Sequence, residues 1–235
     1  MFKLKCMLVV LLLLFTGVKA HDKSSVKQKY SQVLNPSVQI NFRDAIGTGV
    51  VVKREESTID KKKIYKYTVI TVHHIFINRG DVSLWGENKT CFITFYKNSV
   101  EKTYLGSVIK ESADLDLCLI EFITEDKIND IATLANKDVL SRIKVFDQVY
   151  LVGCQAGLPP MVTYGLISLL LKQKDAFVTD AEAYLGSSGG GMFKYDKGKY
   201  YLIGICKSIW THGGDHLSHI SFSSSAKSVL EFMEK

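Results

Sequence analysis

From Val38 onward the chain is built of short stretches of β-branched and aromatic residues, separated by Gly, Asn, Asp or Lys. Val38-Gln39-Ile40-Asn41-Phe42, Gly49-Val50-Val51-Val52, Tyr65-Lys66-Tyr67-Thr68-Val69-Ile70 and Cys91-Phe92-Ile93-Thr94-Phe95 come first. Runs of this kind predict β-strands, half-buried where apolar and polar residues alternate. Further strands are expected at 117–122, 148–152, 164–171, 200–206 and 219–222. Two segments break the rhythm. Ser24–Leu34 is polar and is expected to form one helix, ended by the Asn35-Pro36 pair. Residues 124–144 are rich in Asp, Lys, Ala and Leu and are expected to link two β-rich halves, with room for a short helix. At the C-terminus Ser223-Ser224-Ser225 are placed to cap a helix with Ala226, Val229, Leu230 and Met233 on one face. The expectation is an all-β fold, paired antiparallel β-barrels or a sandwich, closed by a C-terminal helix.

Residues 1–20 stand apart from this pattern. Met1-Phe2-Lys3-Leu4-Lys5 is basic, Met7–Phe15 is an apolar run, and Val18-Lys19-Ala20 brings small residues where a signal peptidase reads. A signal peptide is expected, leaving an exported mature chain from about His21, secreted or periplasmic. The apolar run is too short for a stable membrane span, and Cys6 precedes it, which disfavours a lipoprotein anchor. Without Lys3, Lys5 and Lys19 the formal charge falls from +6 to +3, too small a surplus to make nucleic acid the main partner. Cys91, Cys118, Cys154 and Cys206 remain. Export permits disulfides, but each lies in or beside an apolar run, so bridges and buried free thiols both stay open. None has C-x-x-C spacing, and no cofactor motif is present.

Candidate chemistry begins with Tyr184-Leu185-Gly186-Ser187-Ser188-Gly189-Gly190-Gly191-Met192-Phe193. In a Gly-x-Ser-Gly-Gly arrangement the hydroxyl of Ser188 is uncrowded, and the glycines let successive N–H groups face one hollow that binds a developing oxyanion. A flexible Gly/Ser loop is the plain alternative. A serine nucleophile needs a base, and the base a carboxylate to hold its tautomer. Val69-Ile70-Thr71-Val72-His73-His74-Ile75-Phe76 ends a strand on two histidines, and Ala113-Asp114-Leu115-Asp116-Leu117-Cys118-Leu119-Ile120 puts acids at the head of another. Singly, these are ordinary surface or turn residues; in the order His, Asp, Gly-x-Ser-Gly-Gly they point to acyl transfer.

Taken together these segments resemble trypsin-like serine proteases of the chymotrypsin fold, more closely the HtrA/Deg branch. Gly47-Thr48-Gly49-Val50-Val51 is similar to the family's early Gly-Ser-Gly strand, and Val69–Ile75 to its histidine segment. Asp114-Leu115-Asp116-Leu117-Cys118-Leu119 is similar to its Asp-Leu-Ala-Leu segment. Val149–Gly153 with Val162–Ser168, Thr179–Gly190, and Leu202–Ile205 with Ile220–Phe222 continue the match across about residues 26–230. The resemblance implies two six-stranded-type barrels in a protease domain at 38–235, after the expected signal peptide 1–20 and an N-terminal extension 21–37. Within that domain it implies barrel one at about 38–123, linker 124–144, barrel two at about 145–223 and a helix at 224–235. By position it implies His74 rather than His73 as general base and acid, Asp116 rather than Asp114 as orienting carboxylate, and Ser188 as nucleophile. Gly186 and Ser188 would supply the oxyanion N–H groups.

The chain departs from the family's pattern in four places. Ser187 stands where trypsin-type zymogens carry Asp, so that activation switch is not expected. No Cys follows His74, Gly191 replaces the usual Pro, and, with one helix after the second barrel, no PDZ domain is expected. The resemblance places substrate-binding residues at Glu182, Lys207, Ile209 and His219. Glu182 would favour a basic side chain before the scissile bond (P1), Lys207 and His219 an acidic one, and the HtrA-like precedent a small or medium apolar one, which ranks first. His212–His219, with three histidines and Asp215, is read as a loop beside the pocket rather than a metal site. Asn88-Lys89-Thr90 is a glycosylation sequon only in a glycosylating host. The expected function is an exported serine endopeptidase acting on proteins or peptides, without cofactor or metal; the alternatives are a catalytically inactive binding module on the same fold and a secreted metal-binding β protein.

Overall fold

A computed structural model describes residues 25–77 and 89–234. The expected signal segment 1–20, the first residues of the expected extension and Asn88 of the sequon lie outside the described residues. Among the described residues the β-branched runs pair into two closed six-stranded barrels. The first contains β1 (Ser37–Phe42), β2 (Ala45–Ile59), β3 (Lys62–Thr71), β4 (Thr90–Lys97), β5 (Val100–Ser112) and β6 (Leu117–Thr124), in the order β1-β2-β3-β6-β5-β4. The second contains β7 (Gln148–Gly153), β8 (Met161–Leu171), β9 (Ala176–Thr179), β10 (Gly191–Asp196), β11 (Lys199–His212) and β12 (Asp215–Ser225), in the order β10-β11-β12-β9-β8-β7. All the pairings are antiparallel, with β1–β4 and β10–β7 closing the rings. Closure gives every strand two neighbours, although β11 beyond Ile205 and β2 beyond Val50 extend past one of theirs.

Inward residues fill each barrel. Ile40, Val50, Tyr67, Val69, Ile93, Ile120 and Phe122 are buried in the first, and Val149, Leu151, Ile167, Phe177, Met192 and Ile203 in the second. Phe122 stacks against Tyr67 and Tyr104, each with ring centroids 5.0 Å apart. The Tyr67 hydroxyl accepts from the Ile128 N–H (2.6 Å) and donates to the Asp126 carbonyl (3.0 Å), so its polar end is satisfied inside the apolar body.

Three strands exceed the pattern read from the sequence. β5 was hidden because Val100, Leu105 and Ile109 face outward among charged residues, while the inward position at its centre is Gly106. A Cβ there would lie 2.5 Å from Ile93 Cδ1, so the neighbouring side chain fills the space. β9 is only four residues long, and β10 begins inside the glycine run at Gly191.

The helices differ in detail. Val26–Lys29 (α1), capped by Ser25 Oγ accepting from the Gln28 N–H, continues as a π-helical turn over Tyr30–Leu34 before Asn35-Pro36. The connecting segment carries one short helix, α2 (Lys137–Ser141), capped by the Asn136 side chain. It is also bonded to both barrels: the Ala132 N–H donates to the Val51 carbonyl, and Leu202 exchanges backbone bonds with Thr133 and Ala135. The closing helix α3 (Ala226–Glu234) buries Ala226, Val229 and Phe232, with Leu230 and Met233 only partly covered. Its expected serine cap is corrected. Ser223 to Ser225 belong to β12, and the buried Ser223 and Ser225 hydroxyls find no hydrogen-bond partner among the described residues. Cys91, Cys118, Cys154 and Cys206 are buried free thiols. Among the described residues no helix is long and apolar enough to cross a membrane.

Candidate active site

The first barrel carries two of the expected side chains. Beyond β3 the chain turns through a short 3-10 segment, His73–Phe76, anchored by the buried Ile75 and Phe76, and this turn presents His74 to the groove between the barrels. Asp116 closes the turn ahead of β6 in the left-handed region (φ 48°), a conformation that aspartate tolerates. One Asp116 oxygen accepts from the His74 backbone N–H (2.9 Å) and the other lies 2.9 Å from His74 Nδ1. Both carboxylate oxygens thus fix one histidine.

The second barrel supplies Ser188 from the loop between β9 and β10. Its Oγ lies 2.9 Å from His74 Nε2. The loop is held by a ladder of backbone bonds: Ser187 N–H to the Tyr184 carbonyl, Gly190 N–H to Ser187, Gly189 N–H to Cys206 and Cys206 N–H to Gly190. Thr48, from β2 of the opposite barrel, grips the loop at two points. Its N–H donates to the Ser188 carbonyl (2.7 Å), and its hydroxyl donates to the Gly186 carbonyl (2.7 Å) while accepting from the Cys154 N–H (2.8 Å). The Thr48 carbonyl in turn accepts from Thr71 Oγ1 (2.6 Å). Gly189 shows why glycine is required: φ is 84° and a Cβ would sit 2.0 Å from the Thr48 carbonyl oxygen.

Among the described residues the N–H groups of Gly186 and Ser188 donate no hydrogen bond, and both residues line the groove. The neighbours that the sequence left in competition are placed elsewhere. His73 is turned toward Glu111 (Nδ1 to Oε2, 3.3 Å), Asp114 is exposed, and the buried Ser187 hydroxyl accepts from the Tyr184 N–H.

Two depressions flank Ser188. One, of about 610 Å³, is lined by Phe42, Arg43, Ala45, Ile46 and Leu185. The other, of about 400 Å³, is lined by Asp116, Ala183, Tyr184, Lys207, Ile209 and His216, among others. Of the expected substrate-binding residues, Lys207 and Ile209 line the second. Glu182 and His219 line neither and are exposed. Glu182 is held away by its backbone, whose carbonyl accepts from Thr163 Oγ1 (2.7 Å) and Gln155 Nε2 (3.1 Å). His216 and Thr211 occupy the rim instead.

The sequence reading put 212–219, and so His216, beside the pocket but as a loop, and it ended the pocket-lining segment at Trp210, one residue short of Thr211. In fact β11 and β12 stay paired as far as His212 and Asp215, so only Gly213-Gly214 turn, and Thr211 faces His216 across the hairpin. Among the described residues no cluster of three or more potential ligands could hold a metal ion. Burial lowers the pKa of the Lys207 ammonium from its ordinary value, and the Asp116 charge partly opposes that shift.

A groove between two six-stranded barrels, with His and Asp on one barrel and a glycine-bounded Ser on the other, is the architecture of the trypsin-like peptidases. Residues 47–205 match the trypsin-like peptidase domain, and the chain belongs to that family. No curated protein matches the chain. Among solved structures it is similar to an HtrA-type protease, AlgW, with tripeptide, at 20% identity and a TM-score of 0.65 over 90% of this chain and 63% of that one. It is also similar to a serine endoprotease from Yersinia pestis, at 20% identity and a TM-score of 0.63 over 91% of this chain and 67% of that one. At that identity the likeness is one of fold, and this chain spans about two thirds of their length.

Proposed function

We propose that this chain is a serine endopeptidase that hydrolyses peptide bonds through His74, Asp116 and Ser188. The observation that carries the reading is the continuous line from Asp116 through His74 to Ser188 Oγ, each link 2.9 Å. Asp116 accepts from Nδ1–H, so the lone pair of Nε2 faces the serine hydroxyl. Ser188 Oγ attacks the peptide carbonyl carbon as its proton passes to Nε2, and the carbonyl oxygen gains charge beside the Gly186 and Ser188 N–H groups. His74 then protonates the leaving amine, and an acyl-serine remains. Water, deprotonated by His74, attacks the acyl carbon, and the proton returns to Ser188 as the acid product leaves.

The peptide is expected to lie along β11 beyond Ile205, where β10 no longer pairs with it, and to bond backbone to backbone. The hollow beside Ala183, Tyr184 and Ile209 suits a small or medium apolar P1 side chain. Export to the periplasm or beyond belongs to the same proposal and rests on the character of residues 1–20. The test is fluorophosphonate labelling of the chain from about His21. Labelling lost in Ser188→Ala and His74→Ala but kept in Ser187→Ala is expected. A folded chain that takes no label would be a binding module instead.

A further inference from the structure

We infer that Lys207 makes this chain select peptides with an acidic side chain on the acyl side of the scissile bond, next to the residue that fills the apolar hollow. The inference rests on the endopeptidase reading and adds the charge class of its substrate.

The backbone aims this side chain. Pairing of β11 with β12 steps from Cys206↔Ser223 to Ser208↔Phe222, so Lys207 is the extra residue of a β-bulge. A bulge frees one residue from the ladder and redirects its side chain, here into the depression that also holds His74, Asp116 and Ser188. In an extended peptide neighbouring side chains point to opposite sides. With the P1 side chain directed at Ala183, we place its neighbour toward Lys207, His74 and Asp116, which line the same depression.

The ammonium lacks a counterion there. Lys53, Lys66, Lys89, Lys97 and Lys227 each hold a carboxylate at ion-pair distance, whereas among the described residues Lys207 holds none. Asp116 offsets the cost only in part: its charge acts on the ammonium without reaching ion-pair distance, and its two oxygens are turned to His74. Lys207 is also half-buried, and burial disfavours its charged form. A desolvated, unpaired cation is costly, and a peptide carboxylate is the group that offsets the cost. Of the other titratable groups in the depression, His74, Tyr184 and His216 bring no negative charge as neutral side chains, and the one carboxylate, Asp116, has both oxygens turned to His74.

Two readouts test this. Fluorescent peptides carrying a single Glu or Gln at each of the four positions before an alanine P1–P1′ pair are titrated by anisotropy against Ser188→Ala. The same peptides, internally quenched, are given to the active chain. The Glu peptide next to P1 is expected to bind and turn over on the order of tenfold better than its Gln partner. The ratio should shrink as salt is raised. Lys207→Met should bring it to about one, Lys207→Arg should keep it, and Lys207→Glu should invert it in favour of a Lys peptide. Equal Glu and Gln peptides in the unsubstituted chain, or a preference that survives Lys207→Met, overturns the inference. Fluorophosphonate labelling without a Glu preference overturns it alone. Absence of labelling overturns the peptidase reading, and the anisotropy ratios still decide the charge selection.

Discussion

Thr48 is the residue on which the nucleophile loop depends. Its hydroxyl satisfies the Gly186 carbonyl and the Cys154 N–H together, and it is fully buried. Thr48→Val keeps the shape and leaves the buried Cys154 N–H and the half-buried Gly186 carbonyl unpaired, a loss of about 2 kcal/mol. We expect a lowered urea midpoint and slower fluorophosphonate labelling; an unchanged midpoint would show that the loop is held by something else. Gly189→Ala should be harsher, since the new methyl meets the Thr48 carbonyl and the backbone must keep φ near 84°. Labelling should vanish, and a normally labelling Gly189→Ala chain would contradict the positive-φ requirement. Which of each adjacent pair, His73 or His74, Asp114 or Asp116, reaches the groove was legible only through the family resemblance. Periodicity cannot tell neighbours apart in a 3-10 turn or a left-handed turn residue.

At the level of elements, the strands marked by apolar, β-branched or aromatic runs were legible and those without such runs were missed. β3 and β6 announce themselves with β-branched runs, while β5 hides its inward face behind a glycine and β10 starts within a loop signal. The β11–β12 hairpin reads as a loop because polar, histidine-rich strands that face water carry no hydrophobic period; its place beside the pocket was legible, its pairing and Thr211 were not. The closing helix was legible in position and, through Ala226, Val229 and the core-packed Met233, in most of its face; Phe232 was missed. Phe232 is 4% exposed and its carbonyl accepts from Lys110 Nζ (2.6 Å), which binds α3 to β5 of the first barrel. Phe232→Ala should cost about 3–4 kcal/mol in urea unfolding; a loss under about 1 kcal/mol would mean that the helix contributes little to the fold.

For the molecule as a whole, pH reaches stability through four thiols spread over both barrels. Burial raises Cys91, Cys154 and Cys206 to about 12 and Cys118 further still. In the unfolded chain thiols ionise at about 8.5. Between about 8.5 and 12 the unfolded chain therefore releases protons that the folded chain keeps. Their contribution is complete below that window and is lost as pH rises through it. Urea midpoints should fall from about pH 9 upward, and native cysteines should resist iodoacetamide at about pH 8. Midpoints that stay level to about pH 10 would refute this reading of the thiols. The short-strand rhythm of both halves left paired barrels or a sandwich open, and the family resemblance pointed to the two barrels that the structure shows. The joint between them was not, since Thr48 is one polar residue in a β-branched strand and nothing local marks its partners in another half of the chain. That joint makes the groove behave as a logical AND: His74 and Asp116 arrive with one barrel, Ser188 with the other, and Thr48 registers whether the two are seated. On slow heating, chemistry should therefore switch off before either barrel loses its strands, so that reactivity reports docking and circular dichroism reports melting.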